Sequence, residues 1–327
     1  MKKMSLFIFL AALFIGTNLQ AKKSELRISK QYGLSYLPLI VLEDKKLIEK
    51  NAKSAGLGDI KVEWVTFGGG ATANDALLSG SVDLISGGNA PFIRLWDKTK
   101  GKVKVLAALD QSPFVLNSVN PNVKTLRDFT DKDKIALPAV KVSIQSLLLQ
   151  IAVAKEFGIK NYDKLDHLTV SLKHPDALVA LTSGKSEITA HIATEPFATI
   201  EQQNPNVHKV FDSYEIFGGR YTSNVVSTSE DFYKNNPELA QVVVNAINEA
   251  DEWISNNKKE AAKLYLRVTK SKEPLDIIEK ILNNPNIFYT SKPLPNITVF
   301  SDFLFDIGAI KTKPNSWEEL FFDNIKN

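Results

Sequence analysis

The stretch SGSVDLISGGNAPF, Ser79 to Phe92, sets a short apolar run between glycines and follows it at once with Asn89, Ala90 and Pro91. The run VDLIS reads as a strand bounded by turn residues, and a proline so soon after it reads as the first turn of a helix. The pattern predicts a strand over 82–86, a loop over 87–89 and a helix from about residue 90. A side chain at Gly87 or Gly88 would occupy the crevice in front of the strand, so the glycines let a ligand approach the backbone. Asn89 is a preferred N-cap, and the free N–H groups and dipole of such a helix start favour an anion or another polar acceptor.

The same alternation extends outward in both directions. Upstream, ELRISKQYG (25–33) and IKVEWVTF (60–67) read as strands, a helix is expected over 38–50, and Gly68, Gly69 and Gly70 open a helix over 71–78 that Ser79 and Gly80 end. Downstream, KIALPAV, LTVSLK and EITAHIAT read as strands separated by helices over 143–157 and 175–184. Strand alternating with helix predicts an α/β fold whose mixed, mostly parallel sheets are flanked by helices. ALLSGSVD (76–83) and ALTSGKSE (180–187) share Ala, Leu, Ser, Gly and a final acid, and each is followed by Pro-Phe, at 91–92 and 196–197. This repeat predicts two lobes of similar build. LAALDQSPFVLN (106–117) and FDSYEIFGGRYTSNVVS (211–227) are the expected crossings between them. Two crossings make the first lobe discontinuous, 22–111 plus 220–327, with 112–219 as the second, and the tail from Glu230 is expected to be helical.

Lys2 and Lys3 precede an apolar run from Leu6 to Ile15 and a small residue at Ala21, so residues 1–21 are expected to be a secretory signal peptide. The run is too short to span a bilayer, which takes ~20 apolar residues. Removing Lys2 and Lys3 from the 40 basic residues leaves 38 against 37 acidic ones, a balance that points to neither nucleic acid nor an anionic membrane. With no Cys, the exported chain has neither a disulfide nor a lipidation site, and burial alone must stabilise it. It is expected to be a free periplasmic monomer.

Catalytic patterns are scarce. Gly68-x-Gly70-x-x-Ala73 resembles a dinucleotide fingerprint, but the acid that should end the next strand is missing, since Asp83 stands at that strand's start. The histidines at 167, 174, 191 and 208 show no metal-ligand spacing, and His174 and His208 are expected in solvated loops. No metal or cofactor is expected, and the four tryptophans at 64, 96, 253 and 317 read as core.

Ligands of open α/β sheets bind beyond the carboxyl ends of the strands. That rule selects Gly87 to Asn89 in one lobe and HIATEPF (191–197) in the other, with KQYG (30–33) and VKVSIQS (140–146) completing the rim. Glu195 before Pro196 is expected to face the cleft, where a carboxylate repels an anion and welcomes an amine or ring N–H. His191 or Thr194 would join it, Tyr32 would stack on or bond a ligand, and Ser143 would cap a helix.

Taken in order, VEWVTFGGGATANDALLSGSVDLISGGNAPF, IALPAVKVSIQSLLLQIAVAKEFG, HPDALVALTSG with TEPF, and FSDFLFDIGAIKTKPNSWEELFF resemble the solute-binding proteins of the nitrate/sulfonate/taurine uptake family, the receptors of ATP-driven importers. The resemblance implies two α/β lobes closing as a hinge on a small solute, for delivery to a membrane permease with its ATPase. Its binding loops fall at Gln31, Tyr32 and Gly33; Gly68, Gly69 and Gly70; Gly88, Asn89 and Ala90; Ser143, Ile144 and Gln145; and His191 to Glu195 with Thr194. The solute implied is a sulfonate, taurine or nitrate, with a thiamine-precursor pyrimidine or other N-heterocycle as the alternative. An extracytoplasmic sensor module and a pyrimidine-synthase-like enzyme are the readings of other classes. The enzyme relative needs a cysteine-rich metal motif, which a chain without Cys lacks.

Overall fold

A computed structural model describes residues 23–323. The signal peptide expected over 1–21 lies outside them. The chain begins with β1 (Glu25–Lys30), α1 (Leu37–Lys45), α2 (Leu47–Ser54), β2 (Lys61–Thr66), α3 (Gly70–Leu78), β3 (Leu84–Gly88), α4 (Asn89–Lys98) and β4 (Val103–Gln111). It crosses to β5 (Val115–Ser118), β6 (Ile135–Leu137), α5 (Ile144–Phe157), β7 (Thr169–Ser171), α6 (His174–Thr182), β8 (Ala190–Ala193), α7 (Phe197–Glu201), β9 (His208–Asp212) and α8 (Ser213–Phe217). It then returns through β10 (Asn224–Ser229) to α9 (Glu230–Asn235), α10 (Pro237–Asn256), α11 (Lys258–Thr269), α12 (Leu275–Leu282), β11 (Phe288–Tyr289) and α13 (Thr298–Asp306).

Two sheets result, in the orders β11-β4-β10-β3-β1-β2 and β7-β6-β8-β5-β9. Both are mixed, as the sequence leads one to expect. The strand-helix-strand units supply parallel pairs, β1 with β2 and β3, and β6 with β7 and β8, whereas the crossing strands pair antiparallel. The returning strand β10 wedges between β3 and β4, placing Asn224 opposite Gly88 and Val225 opposite Gly87. The two glycines are therefore ladder residues. The loop expected over 87–89 does not exist: β3 runs to Gly88 and α4 begins at Asn89, with Gly88 as N-cap.

The helix expected over 38–50 is also divided. Lys46 takes a left-handed conformation, φ 52°, and its N–H bonds back to the Leu42 carbonyl. That conformation costs a lysine ~1–2 kcal/mol. It turns α2 so that Leu47, Ile48 and Ala52 are buried against the core shared with α1 and α10, and each large side chain so buried contributes ~1.5–3 kcal/mol.

The repeated Ser-Gly pairs do end α3 and α6, with Gly80 and Gly184 at φ 73° and 65°, a region that glycine enters without the Cβ penalty. One core cluster joins the first sheet to α1, α2 and α10 to α12. A second is continuous across the lobes, joining α4 to α5 and α13. Of the tryptophans only Trp96 is buried; the other three are half-buried, with Lys30 over Trp64 and Lys45 over Trp253.

The two crossings are stitched to each other. Ser223 Oγ accepts from Ser112 N (3.1 Å) and donates to Ser112 O (2.7 Å), while Phe114 N donates to Ser213 Oγ at 2.9 Å.

Candidate functional site

A cavity between the two sheets encloses about 410 Å³ of non-atom space, interstices and mouth included. Four helices start at its wall: α3 and α4 from the first sheet, α5 and α6 from the second, represented there by Gly70, Pro91, Ile144 and His174. Each start leaves backbone N–H groups without partners inside its helix. Ten of the residues chosen from sequence line this cavity: Gln31, Tyr32, Gly68, Gly69, Gly70, Gly88, Ser143, Ile144, Gln145 and Thr194.

Gly88 packs closely against the opposite lobe. A Cβ there would lie 2.6 Å from Ile144 Cγ2 of the opposite lobe. Any larger residue would wedge the lobes apart. Ser143 is a true cap, its Oγ accepting from Ser146 N at 3.2 Å, and the helix it starts carries Ile144 and Gln145 into the wall. On the first-lobe side Gln31 Nε2 donates to Ser86 O at 2.6 Å.

Five chosen residues are placed elsewhere. Asn89 is fully buried beside the return crossing: its amide donates to Thr222 O, its N–H donates to Ser223 O at 3.3 Å, and it caps nothing. Ala90 is core. Gly33 lies beside the cavity against Thr194 and Glu195. Glu195 does not face the cleft with its carboxylate, which turns into its own helix and accepts from Thr199 N (3.2 Å) and Thr199 Oγ1 (2.9 Å). Burial pushes that carboxyl up to about 7. Its carbonyl does reach across, accepting from Leu34 N at 2.7 Å beside a 3.3 Å contact between Ser35 Oγ and Thr194 Oγ1. His191 is fully buried one layer behind the wall.

The residue in front of it is His174, which is no solvated loop histidine. It opens α6, lines the cavity, stacks on Phe197 and places Nδ1 2.9 Å from His191 Nε2. The sequence carried a signal for this, because a proline at 175 fits the second position of a helix as well as a loop. His208 is half-buried, with Nε2 2.6 Å from Val123 O.

Tyr36, Ser35, Phe114, Pro138 and Asn224 also line the cavity without having been singled out. Tyr36 donates its hydroxyl to Asn224 Oδ1 (3.0 Å), and Asn224 Nδ2 donates to Asp110 Oδ1 (2.9 Å). Burial holds that aspartate up at about 6 despite the bonds from Asn224. Among the described residues none that lines the cavity is Lys or Arg, while the Lys173 side chain lies beside Gly68 at its edge.

The fold has known counterparts. The alkanesulfonate-binding protein SsuA of Xanthomonas axonopodis pv. citri, solved with MOPS, superposes with a TM-score of 0.73 at 19% identity, covering 89% of this chain and 96% of its own. The periplasmic aliphatic sulphonate binding protein SsuA of Escherichia coli gives 0.68 at 20% identity, over 92% and 99%. The periplasmic nitrate-binding protein NrtA of Synechocystis PCC 6803 gives 0.69 at 16% identity, over 91% and 84%. No curated protein sequence matches the chain. Its two mixed sheets, double crossing and interlobe cavity are those of the periplasmic binding protein fold, and with residues 20–268 matching the family's pattern, the chain belongs to the NMT1-like family.

Proposed function

We propose that this chain is the periplasmic solute-binding component of an ABC importer, which takes up one small polar solute between its lobes and hands it to a membrane permease with its ATPase. The supporting observation is the convergence of four helix starts, two from each sheet, on one interlobe cavity. Free N–H groups at the starts of α3, α5 and α6 are preorganised donors for an oxyanion or a ring nitrogen and gain strength as closure expels water. By contrast, α4 meets the cavity through Pro91, which has no N–H, and its Asn89 N–H is bonded to Ser223 O. Residues 22–111 with 220–327 form one lobe and 112–219 the other, and residues 1–21 direct export. The mature chain acts as a monomer without a lipid anchor, needs no cofactor and turns nothing over.

The solutes to try first are sulfonates, taurine and nitrate, the classes nearest to what its structural counterparts bind, followed by aminopyrimidines. A solute that binds only the folded chain raises its melting temperature, by mass action. At least one of these should do so, and Gln145→Ala should abolish the rise. Absence of any rise together with chemical conversion of a solute would replace the receptor reading with an enzymatic one.

A further inference from the structure

A row of buried polar side chains runs from the cavity wall inward. Gln145 Nε2 lies 3.0 Å from His174 Nε2, His174 Nδ1 lies 2.9 Å from His191 Nε2, and His191 Nδ1 lies 2.5 Å from Glu201 Oε1. An ionised Glu201 followed by two neutral imidazoles sets the direction of every bond. Asn117 Nδ2 donates to Ala198 O (3.1 Å) and to Glu201 Oε2 (2.8 Å), while Asn117 Oδ1 accepts from Gln202 Nε2 at 2.9 Å. A carboxylate only accepts, so His191 carries a proton on Nδ1, and as a neutral imidazole it then presents a lone pair at Nε2. His174 Nδ1 must then donate to that lone pair. A neutral imidazole has a single N–H, which leaves His174 Nε2 bare at the cavity wall, accepting from Gln145. Burial disfavours a second proton on His174.

We propose that Glu201, through the tautomers of His191 and His174, sets the second-lobe wall of the cavity as a hydrogen-bond acceptor, so that the solute is one presenting an N–H donor: an amine, amide or amino-heterocycle. The inference rests on the receptor reading above. With one amide N–H of Gln145 committed to His174, its carbonyl oxygen remains for the solute, and His174 Nε2 can itself accept if Gln145 moves aside. On the opposite side Tyr36 has given its hydroxyl proton to Asn224, so its oxygen also offers lone pairs. Among the described residues lining the cavity there is no lysine or arginine to neutralise a bare oxyanion. A solute with one acceptor end for the helix starts and one N–H end for Gln145 and His174 satisfies both walls. Glu201 is a positioning residue, because it lies behind His191 and does not line the cavity.

Glu201→Gln makes this testable. Asn117 forces the new carbonyl into the Oε2 position, which turns the new amide N–H₂ toward His191 Nδ1 and reverses the whole row, giving His174 an Nε2–H. Long-range ¹H–¹⁵N spectra of histidine-labelled protein read the tautomers without any ligand. The expected result is Nδ1–H on both His174 and His191 in the wild type and Nε2–H on both in Glu201→Gln. Wild type bearing Nε2–H on His174, or no change in the variant, overturns the proposal. Binding is then measured for two matched pairs, taurine against ethanesulfonate and 4-aminopyrimidine against 4-methylpyrimidine. In at least one pair the donor should bind about tenfold tighter, the worth of one good hydrogen bond, and lose that advantage in the variant. Binding of ethanesulfonate or nitrate with no donor preference overturns the inference and keeps the receptor, whereas no binding by any probe overturns both.

Discussion

Ser79 to Phe92 and Ser183 to Phe197 both pass through a Ser-Gly helix end, a strand and a Pro-Phe pair, yet they present different atoms to the cleft. In the first, the backbone at Gly88 forms the wall and touches Ile144 across the cavity, while Asn89 turns away to hold the return crossing at Thr222. In the second, the Thr194 side chain reaches the cavity, the Glu195 carbonyl binds Leu34 across the lobes, and the Glu195 carboxyl is spent on Thr199. The acids of the two repeats diverge in the same way. Asp83 accepts from Arg27 N at 2.8 Å and pairs with Lys23 and Arg27, whereas Glu187 is exposed. The repeated residues specify a scaffold of helix end, strand and turn, and the surface offered to a solute is set by which neighbour each side chain meets.

The sharpest way to break this comparison is to give the first segment a side chain where it has none. Gly88→Val places a Cβ 2.6 Å from Ile144 Cγ2, and the backbone at Gly88, φ −68°, accepts any residue. The lobes cannot then close as they stand, so solute-dependent thermal stabilisation should vanish while the variant still unfolds cooperatively.

The second segment is tested through its buried carboxyl. Glu195 holds its proton up to about 7 when folded, against an ordinary value of 4.5. Between those values the folded state keeps a proton that the unfolded state has lost, so the group makes stability fall as pH rises through that window. Glu195→Gln should flatten this fall, leaving the variant more stable at pH 8 by at most about 3 kcal/mol and little changed at pH 4, as read by denaturant midpoints. Identical slopes in both proteins would mean that the carboxyl is ionised in the fold.

Smaller effects separate a hinge residue from a cap. Asn89→Ala strands the buried Thr222 carbonyl and should cost ~1–3 kcal/mol. Ser143→Ala removes a genuine cap at the cavity wall and should cost ~1 kcal/mol. Chemical denaturation measures both, and equal losses accompanied by equal falls in solute affinity would erase the distinction between them.

The legible part of this molecule was local. Alternating strands and helices, the left-handed glycines at 80 and 184, the Ser143 cap and the Gly68 to Gly70 helix start all obey short-range rules, and two-thirds of the chosen residues line one cavity. The illegible part depends on strand order. Asn89 meets Thr222 because β10 inserts antiparallel beside β3, and the same insertion brings Asn224, Tyr36 and Asp110 into one bonded group. Nothing within a few residues of Asn89 announces a partner 133 positions away. His174 departs from the solvated loop expected of it for a different reason: a His-Pro pair fits a loop and a helix start equally well, and only its meeting with the fully buried His191 settles which it is.

The central claim is that one solute occupies the space between the lobes, and titration calorimetry on residues 22–327 tests it most directly. With taurine, ethanesulfonate, nitrate and 4-aminopyrimidine as titrants, at least one should bind the wild type with one site per chain, and Gly88→Val should give no heat with that same compound. Heat of equal size from both proteins would place binding outside the interlobe cavity and contradict the account.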